Sequence, residues 1–164
     1  LFKRETFVTL FCMKNKHIPF TIDTEVFSDD RGSFVPFFDL QKHKDLASAV
    51  KAIKRVYYVH NHRSQVVRGF HYHEKEWKVF NVAAGAAKFI AINPKNPDEK
   101  YIFVSSDRKN RTIVVPPYYA NGWVSLANDT VLICASNLTT EESLKDDKRF
   151  DPYKWGDFWS VKSR

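Results

Sequence analysis

Apolar and polar positions alternate with a period of two along most of this chain, the pattern of half-buried β-strands. Segments 19–27 (PFTIDTEVF) and 33–38 (SFVPFF) flank the cluster SDDRG, where Asp and Gly supply turn chemistry. From residue 54 the pattern is nearly continuous. Segments 54–60, 65–73, 77–85, 87–93, 100–106, 111–116, 121–127 and 130–136 succeed one another across short polar connections. Segment 41–54 (QKHKDLASAVKAIK) departs from it: Leu46, Val50 and Ile53 recur at i, i+4 and i+7, which predicts a short helix. Beyond Glu141 the chain turns polar and charged. It is expected to close the structure as a short helix or loop, with Trp155, Phe158 and Trp159 packed back on the strands.

Strands this short, repeating every 8–12 residues or so with hardly a helix between them, predict an all-β antiparallel sandwich or barrel. A jelly-roll β-barrel with one or two short helices, the cupin architecture, is the version that encloses a small-molecule cavity. The 164 residues suit one domain, which we assign to 19–164. Residues 1–18 are expected to be an N-terminal leader or strand, with Met13 a plausible start; Glu5 and Thr9 interrupt the apolar run, and the alternative is the remnant of a targeting segment.

Composition narrows the class. With 43% hydrophobic and 15% aromatic residues and five glycines, the chain is ordered and globular. No run of about 18 apolar residues occurs, so no membrane span is expected. Cys12 and Cys134 match no CxxC or zinc spacing, which points to inert thiols in a reducing, cytoplasmic setting. The net charge of +7 suggests an anionic partner. The basic residues are scattered and no nucleic-acid motif is present, so a small phosphorylated ligand competes with a merely solvated surface.

The chemistry concentrates in RGFHYHEKEW (68–77). Strand alternation puts His71 and His73 on one face, roughly 7 Å apart, and imidazole is the side chain best suited to moving protons near neutrality. Two strand histidines satisfied by backbone carbonyls are the plain alternative. A cupin metal site would add Glu74 or Glu76 and a histidine from a later strand. In VVPPYYANGW (114–123), however, Tyr118 stands where glycine is usual and Asn121 where that ligand would be. No metal and no cofactor are therefore expected.

Together DDRGSF, RGFHYH and VVPPYYANGW resemble the cupin-fold enzymes of nucleotide-activated 4-keto-6-deoxy sugars. The chain mixes two branches: residues 88–126 resemble the dTDP-4-dehydrorhamnose 3,5-epimerase family, and residues 53–75, down to the Tyr57-Tyr58 pair and the second histidine, resemble the 3,4-ketoisomerases. The resemblance implies a metal-independent epimerase acting at C3, or at C3 and C5, through an enolate. Keto transfer and a non-catalytic sugar-nucleotide-binding cupin are its alternatives. It casts His71 as base, Lys78 with Arg68 or Asn121 as enolate stabiliser, and His73 as a second proton carrier. Arg31 would meet the phosphates, with Tyr57, Tyr58, Asn61, Tyr118 and Tyr119 further substrate contacts. The family's acidic tyrosine falls at Ile133, and its aspartate has no clear counterpart, with Asp151 and Asp157 the nearest carboxylates. A nucleotide-diphosphate sugar as ligand, no nucleic acid or membrane, and a homodimer complete what the resemblance implies. By strict alternation Arg68 faces away from His71 unless Gly69 sits in a bulge.

Overall fold

The computed structural model describes residues 17–39, 41 and 53–161. Apart from their last residues, the leader over 1–18 and the helix expected over 41–54 lie outside the described residues. Twelve strands and one helix are described: β1 (Phe20–Asp23), β2 (Phe27–Asp29), β3 (Gly32–Phe34), β4 (Arg55–Asn61), β5 (Val67–Tyr72), β6 (Lys78–Ala84), β7 (Ala86–Asn93), β8 (Asn96–Ser106), β9 (Arg111–Val115), β10 (Ala120–Ser125), β11 (Thr130–Ser136), α1 (Thr140–Asp146) and β12 (Lys148–Arg149). They form two five-stranded sheets, β1-β9-β6-β11-β4 and β12-β5-β10-β7-β8, and a separate β2–β3 hairpin. Every pairing is antiparallel. This is the jelly-roll class that the strand spacing predicts. The run 19–27 is split into β1 and β2, and β8 starts earlier than its apolar core suggests.

Alternation sorts the side chains into three apolar layers. Phe80, Val82, Phe89, Ile113, Trp123, Leu132 and Cys134 fill the space between the sheets. Val79, Val114 and Ala135 point outward from the first sheet under Phe20, Ile22, Phe38, Ile53 and Trp77. Phe70, Tyr72, Ile90, Ile92 and Val124 point outward from the second, under Phe150, Trp155, Phe158 and Trp159. With apolar groups on both of their faces, β6 and β10 are buried along most or all of their length, polar positions such as Asn81 and Asn121 included.

The C-terminal segment does more than cover a face. Phe70 packs against the Trp155 and Trp159 rings at 5.2 and 4.9 Å. Its backbone exchanges hydrogen bonds with Phe150 at 3.3 and 3.1 Å, so β12 lies along β5 with Arg149 opposite His71. Upstream, Thr139 and Glu142 form a capping box that fixes the start of α1. At its other end Asp146 accepts from the backbone N–H groups of Glu74 and Lys75. A helix held at both ends and a strand held by apolar packing leave the residue between them, Asp147, little choice of position.

Candidate active site

The sheets bring His71, His73 and Lys78 together with two carboxylates. His71 Nδ1 donates to Asp147 Oδ1 at 3.1 Å, because an ionised carboxylate only accepts. That bond leaves Nε2 as the unprotonated, basic nitrogen. Burial first, and the nearby Lys78 charge second, pull the His71 pKa below its ordinary value against the opposing pull of Asp147. The imidazole is thus neutral at neutral pH, as a proton acceptor must be. Burial opposes the charge on Asp147, yet the Arg149 hydrogen bond and His71 outweigh it and hold the carboxyl below its usual range.

His73, expected as a second proton carrier, is buried rather than open. It is 3% exposed, with Nε2 2.9 Å from Lys78 Nζ and 3.4 Å from Asp147 Oδ1. Nδ1 lies 3.0 Å from Glu76 Oε2 without a well-directed hydrogen bond. Glu76 is the centre of this layer, accepting from Arg55 Nη2 (2.7 Å), Ser136 Oγ (2.6 Å) and Ser143 Oγ (2.8 Å), with Lys78 Nζ at 3.5 Å. Burial opposes its ionisation, but the His73, Lys78 and Ser136 contacts prevail and hold the carboxyl well below its usual range. Burial in turn lowers the Lys78 pKa.

The donor atoms of His71, His73 and Asp147 lie within 4.8 Å of one another, a spacing that in principle suits a metal ion. Lys78 Nζ contacts one of those donors, His73 Nε2.

The remaining expected site residues divide. Opposite β10, His71 pairs with Asn121 and Arg68 with Trp123, three residues on β5 against two on β10. The bulge at Gly69 therefore returns Arg68 to the His71 face, and Arg68 Nε donates to Asn61 Oδ1 at 2.8 Å. Gly122 permits this close approach: a Cβ there would lie 2.8 Å from both the Arg68 carbonyl oxygen and Gly69 Cα. The Asn121 amide donates to the carbonyls of His71 (3.0 Å) and Tyr119 (3.3 Å), so it secures the strand rather than pointing a donor at a ligand. Tyr119 is buried and bonded to Glu99. Tyr118 stands exposed with φ 71°, the left-handed conformation for which glycine is usual at this position.

On β4, Tyr57 faces inward beside Cys134, and Arg55 lies 4.8 Å over its ring. Tyr58, one residue on, is 72% exposed on the outer face, since neighbours on a strand point oppositely. Arg31 sits exposed on the β2–β3 turn, bonded to Asp29 of its own hairpin, and within this chain it does not join the cluster. Ile133 likewise points away from the interior, whose β11 positions are Leu132 and Cys134. Burial pushes the Cys134 thiol up to about 12, so it is inert near neutrality.

Asp147 is the residue that sequence reasoning missed, having looked to Asp151 and Asp157. Its available signal was DDKRF, a short extended stretch between a capped helix and the aromatic strap.

No curated protein sequence matches the chain significantly. Among solved structures, it superimposes on a 3'-monoepimerase from Streptomyces bikiniensis in complex with dTDP-quinovose, with TM-score 0.76 and 17% identity, covering 86% of this chain and 74% of that one. The corresponding values are 0.74, 17%, 89% and 80% for a dTDP-6-deoxy-D-glucose-3,5-epimerase from Legionella pneumophila in complex with dTDP-4-keto-L-rhamnose. For a dTDP-4-dehydrorhamnose 3,5-epimerase from Sulfolobus tokodaii they are 0.73, 22%, 88% and 82%. These likenesses establish the fold. The family model for dTDP-4-dehydrorhamnose 3,5-epimerase matches residues 18–149, a span that includes His71, Lys78 and Asp147. The chain belongs to the dTDP-4-dehydrorhamnose 3,5-epimerase family and is, with it, an isomerase of the dTDP-sugar epimerase class.

Proposed function

We propose that the protein epimerises a dTDP-4-keto-6-deoxy sugar without a metal ion, by proton abstraction next to the 4-keto group. The observation that carries this reading is the His71–Asp147 pair at 3.1 Å beside Lys78, in a member of this family. His71 Nε2 removes the proton at C3; the C–H electrons form the C3–C4 double bond, and the charge passes to the C4 oxygen. The Lys78 ammonium stabilises that enolate. A proton delivered from the opposite face then regenerates the ketone with C3 inverted. Tyr57 is the donor we assign, because it is an inward phenol kept neutral chiefly by burial and stands beside Cys134 rather than the outward Ile133. The same steps at C5 extend the reaction to both centres. The Lys78 amine occupies one of the donor atoms a metal would use, His73 Nε2, which supports the metal-independent route.

The layout suits a nucleotide sugar. Arg68 and His71 lie opposite Trp123 and Asn121, two residues apart on β10, which places them about 7 Å apart by strand rise. That is a suitable distance for a guanidinium to meet a diphosphate while the sugar ring lies at the imidazole. Exposed Tyr118 at the start of β10 offers an aromatic face to the ligand. Exposed Val56 and Tyr58 on the outer face of edge strand β4 support a homodimer, which covers such an edge.

The test is proton NMR of dTDP-4-keto-6-deoxyglucose incubated with the protein in deuterated water. Deuterium entering at C3, or at C3 and C5, and absent with His71→Asn, is expected; Tyr57→Phe should retain exchange while slowing inversion. Tight binding with no exchange leaves a sugar-nucleotide-binding protein, and deuterium at C4 indicates keto transfer.

A further inference from the structure

Two imidazoles and a carboxylate converge at a second place, away from the cluster just described. His60 and His62 lie at and just beyond the end of β4, and Asp129 precedes β11. His60 Nε2 is 3.1 Å and His62 Nδ1 3.8 Å from the same oxygen, Asp129 Oδ1, and all three donor atoms lie within 4.8 Å of one another. We propose that His60, His62 and Asp129 form a binding site for a divalent transition-metal ion of the zinc or nickel class.

The spacing matches the chemistry. Metal–nitrogen and metal–oxygen bonds of about 2.1 Å arranged tetrahedrally put neighbouring donors about 3.4 Å apart. The two contacts to Asp129 bracket that value, so an ion enters with small side-chain rotations. Neutral imidazoles offer lone pairs and the carboxylate offers a charge, the mixed N/O set that zinc, nickel and copper accept. A plain ion pair would need only one histidine on Asp129. Here the second ring lies 4.3 Å from the first at 60°, with its nitrogen toward the same oxygen.

The backbone already holds the ligands in place. Asn61 pairs with Thr130 and His60 with Val131, while the Asp129 N–H donates to the His62 carbonyl at 3.3 Å and the Ser64 N–H to the Asn128 side chain at 2.9 Å. Asp129 has φ 51°, and its carboxylate faces His60 and His62. The three side chains are 35%, 81% and 74% exposed, so water completes the coordination and ions enter freely. The contrast with His71, His73 and Asp147 is direct: the Lys78 side-chain nitrogen contacts that cluster at His73 Nε2, whereas among the described residues no lysine or arginine is ion-paired with Asp129. A bound ion ties the end of edge strand β4 to the β10–β11 turn.

The experiment is calorimetric titration of the full chain, free of any histidine tag, with zinc chloride and separately with nickel chloride. One ion per chain is expected, accompanied by shifts of the His60 and His62 imidazole NMR signals. His62→Ala and Asp129→Asn, whose unliganded melting should match the parent, are expected to weaken binding by about tenfold or more. His71→Asn should leave it unchanged. Undetectable binding, affinity unaltered in His62→Ala and Asp129→Asn, or binding abolished by His71→Asn instead would overturn the proposal. None of these outcomes bears on the epimerase reading, which the exchange experiment tests separately.

Discussion

Replacing Glu76 by glutamine removes one charge and almost no volume from the layer beneath the proposed base. The Glu76 side chain is 0% exposed, and its cationic neighbours Arg55 and Lys78 are only 18% and 10% exposed. Glutamine keeps one acceptor oxygen and turns its NH2 either toward Arg55 and Ser136, which donate to Oε1, or toward Ser143, which donates to Oε2. Arg55 then lacks its buried counter-ion. Breaking a buried pair in this way costs about 3–5 kcal/mol, whereas an exposed pair such as Glu141–Lys145 contributes roughly 0–1 kcal/mol. For a chain of 164 residues, at about 2–4 °C per kcal/mol, Glu76→Gln should lower Tm by about 6–20 °C. Glu141→Gln, the control, should lower it by about 4 °C at most. Thermal unfolding followed by tryptophan fluorescence measures both shifts, and urea denaturation the free-energy loss. The folded carboxyl of Glu76 titrates below its unfolded value of 4.5, so its contribution is complete above that pH and is lost as pH falls through the folded pKa. The parent should therefore lose stability on acidification more steeply than the variant. A loss of less than about 1 kcal/mol for Glu76→Gln, or equal acid slopes, would refute the view of Glu76 as the counter-ion of this layer.

Asp147→Asn should lower kcat by about 10²–10⁴-fold with little change in ligand affinity, because it disturbs the tautomer and orientation of His71; steady-state kinetics with ligand titration checks this, and a change in affinity alone contradicts it. The acid limb of kcat/KM should have its midpoint below 6.5, since burial and Lys78 lower the His71 pKa and activity falls as the base is protonated; a midpoint above 6.5 in a pH–rate profile refutes that assignment. Gly122→Ala should destabilise by about 1–3 kcal/mol through overpacking against the β5 backbone and Trp159, and a neutral result in chemical denaturation would show that the bulge has room to relax.

The cupin class and most of the strand runs were legible in the chain because they rest on local information, though ten expected runs became twelve described strands, 19–27 splitting in two and β12 adding one. Alternation with period two marks a strand wherever it occurs, and RGFHYH carries its histidines at neighbouring same-face positions. What alternation cannot report is which face is inner once a bulge intervenes; Arg68 returned to the His71 side only through the β5–β10 register. Tyr57 and Tyr58 look alike in sequence, and only the β4–β11 pairing tells the inward phenol from the outward one. Asp147 lies 76 residues from His71, and no local pattern links them. Their contact depends on Asp146 closing α1 against the β5–β6 loop and on Phe150 docking along β5. His73 was read as a proton carrier because its spacing is right. Its burial against Glu76 and Lys78 arises from side chains of β4, β6, β11 and α1 meeting in one layer. Local spacing determined which groups this protein carries, and long-range packing decided their partners, exposure and charge, because those depend on distances in space that sequence separation does not encode.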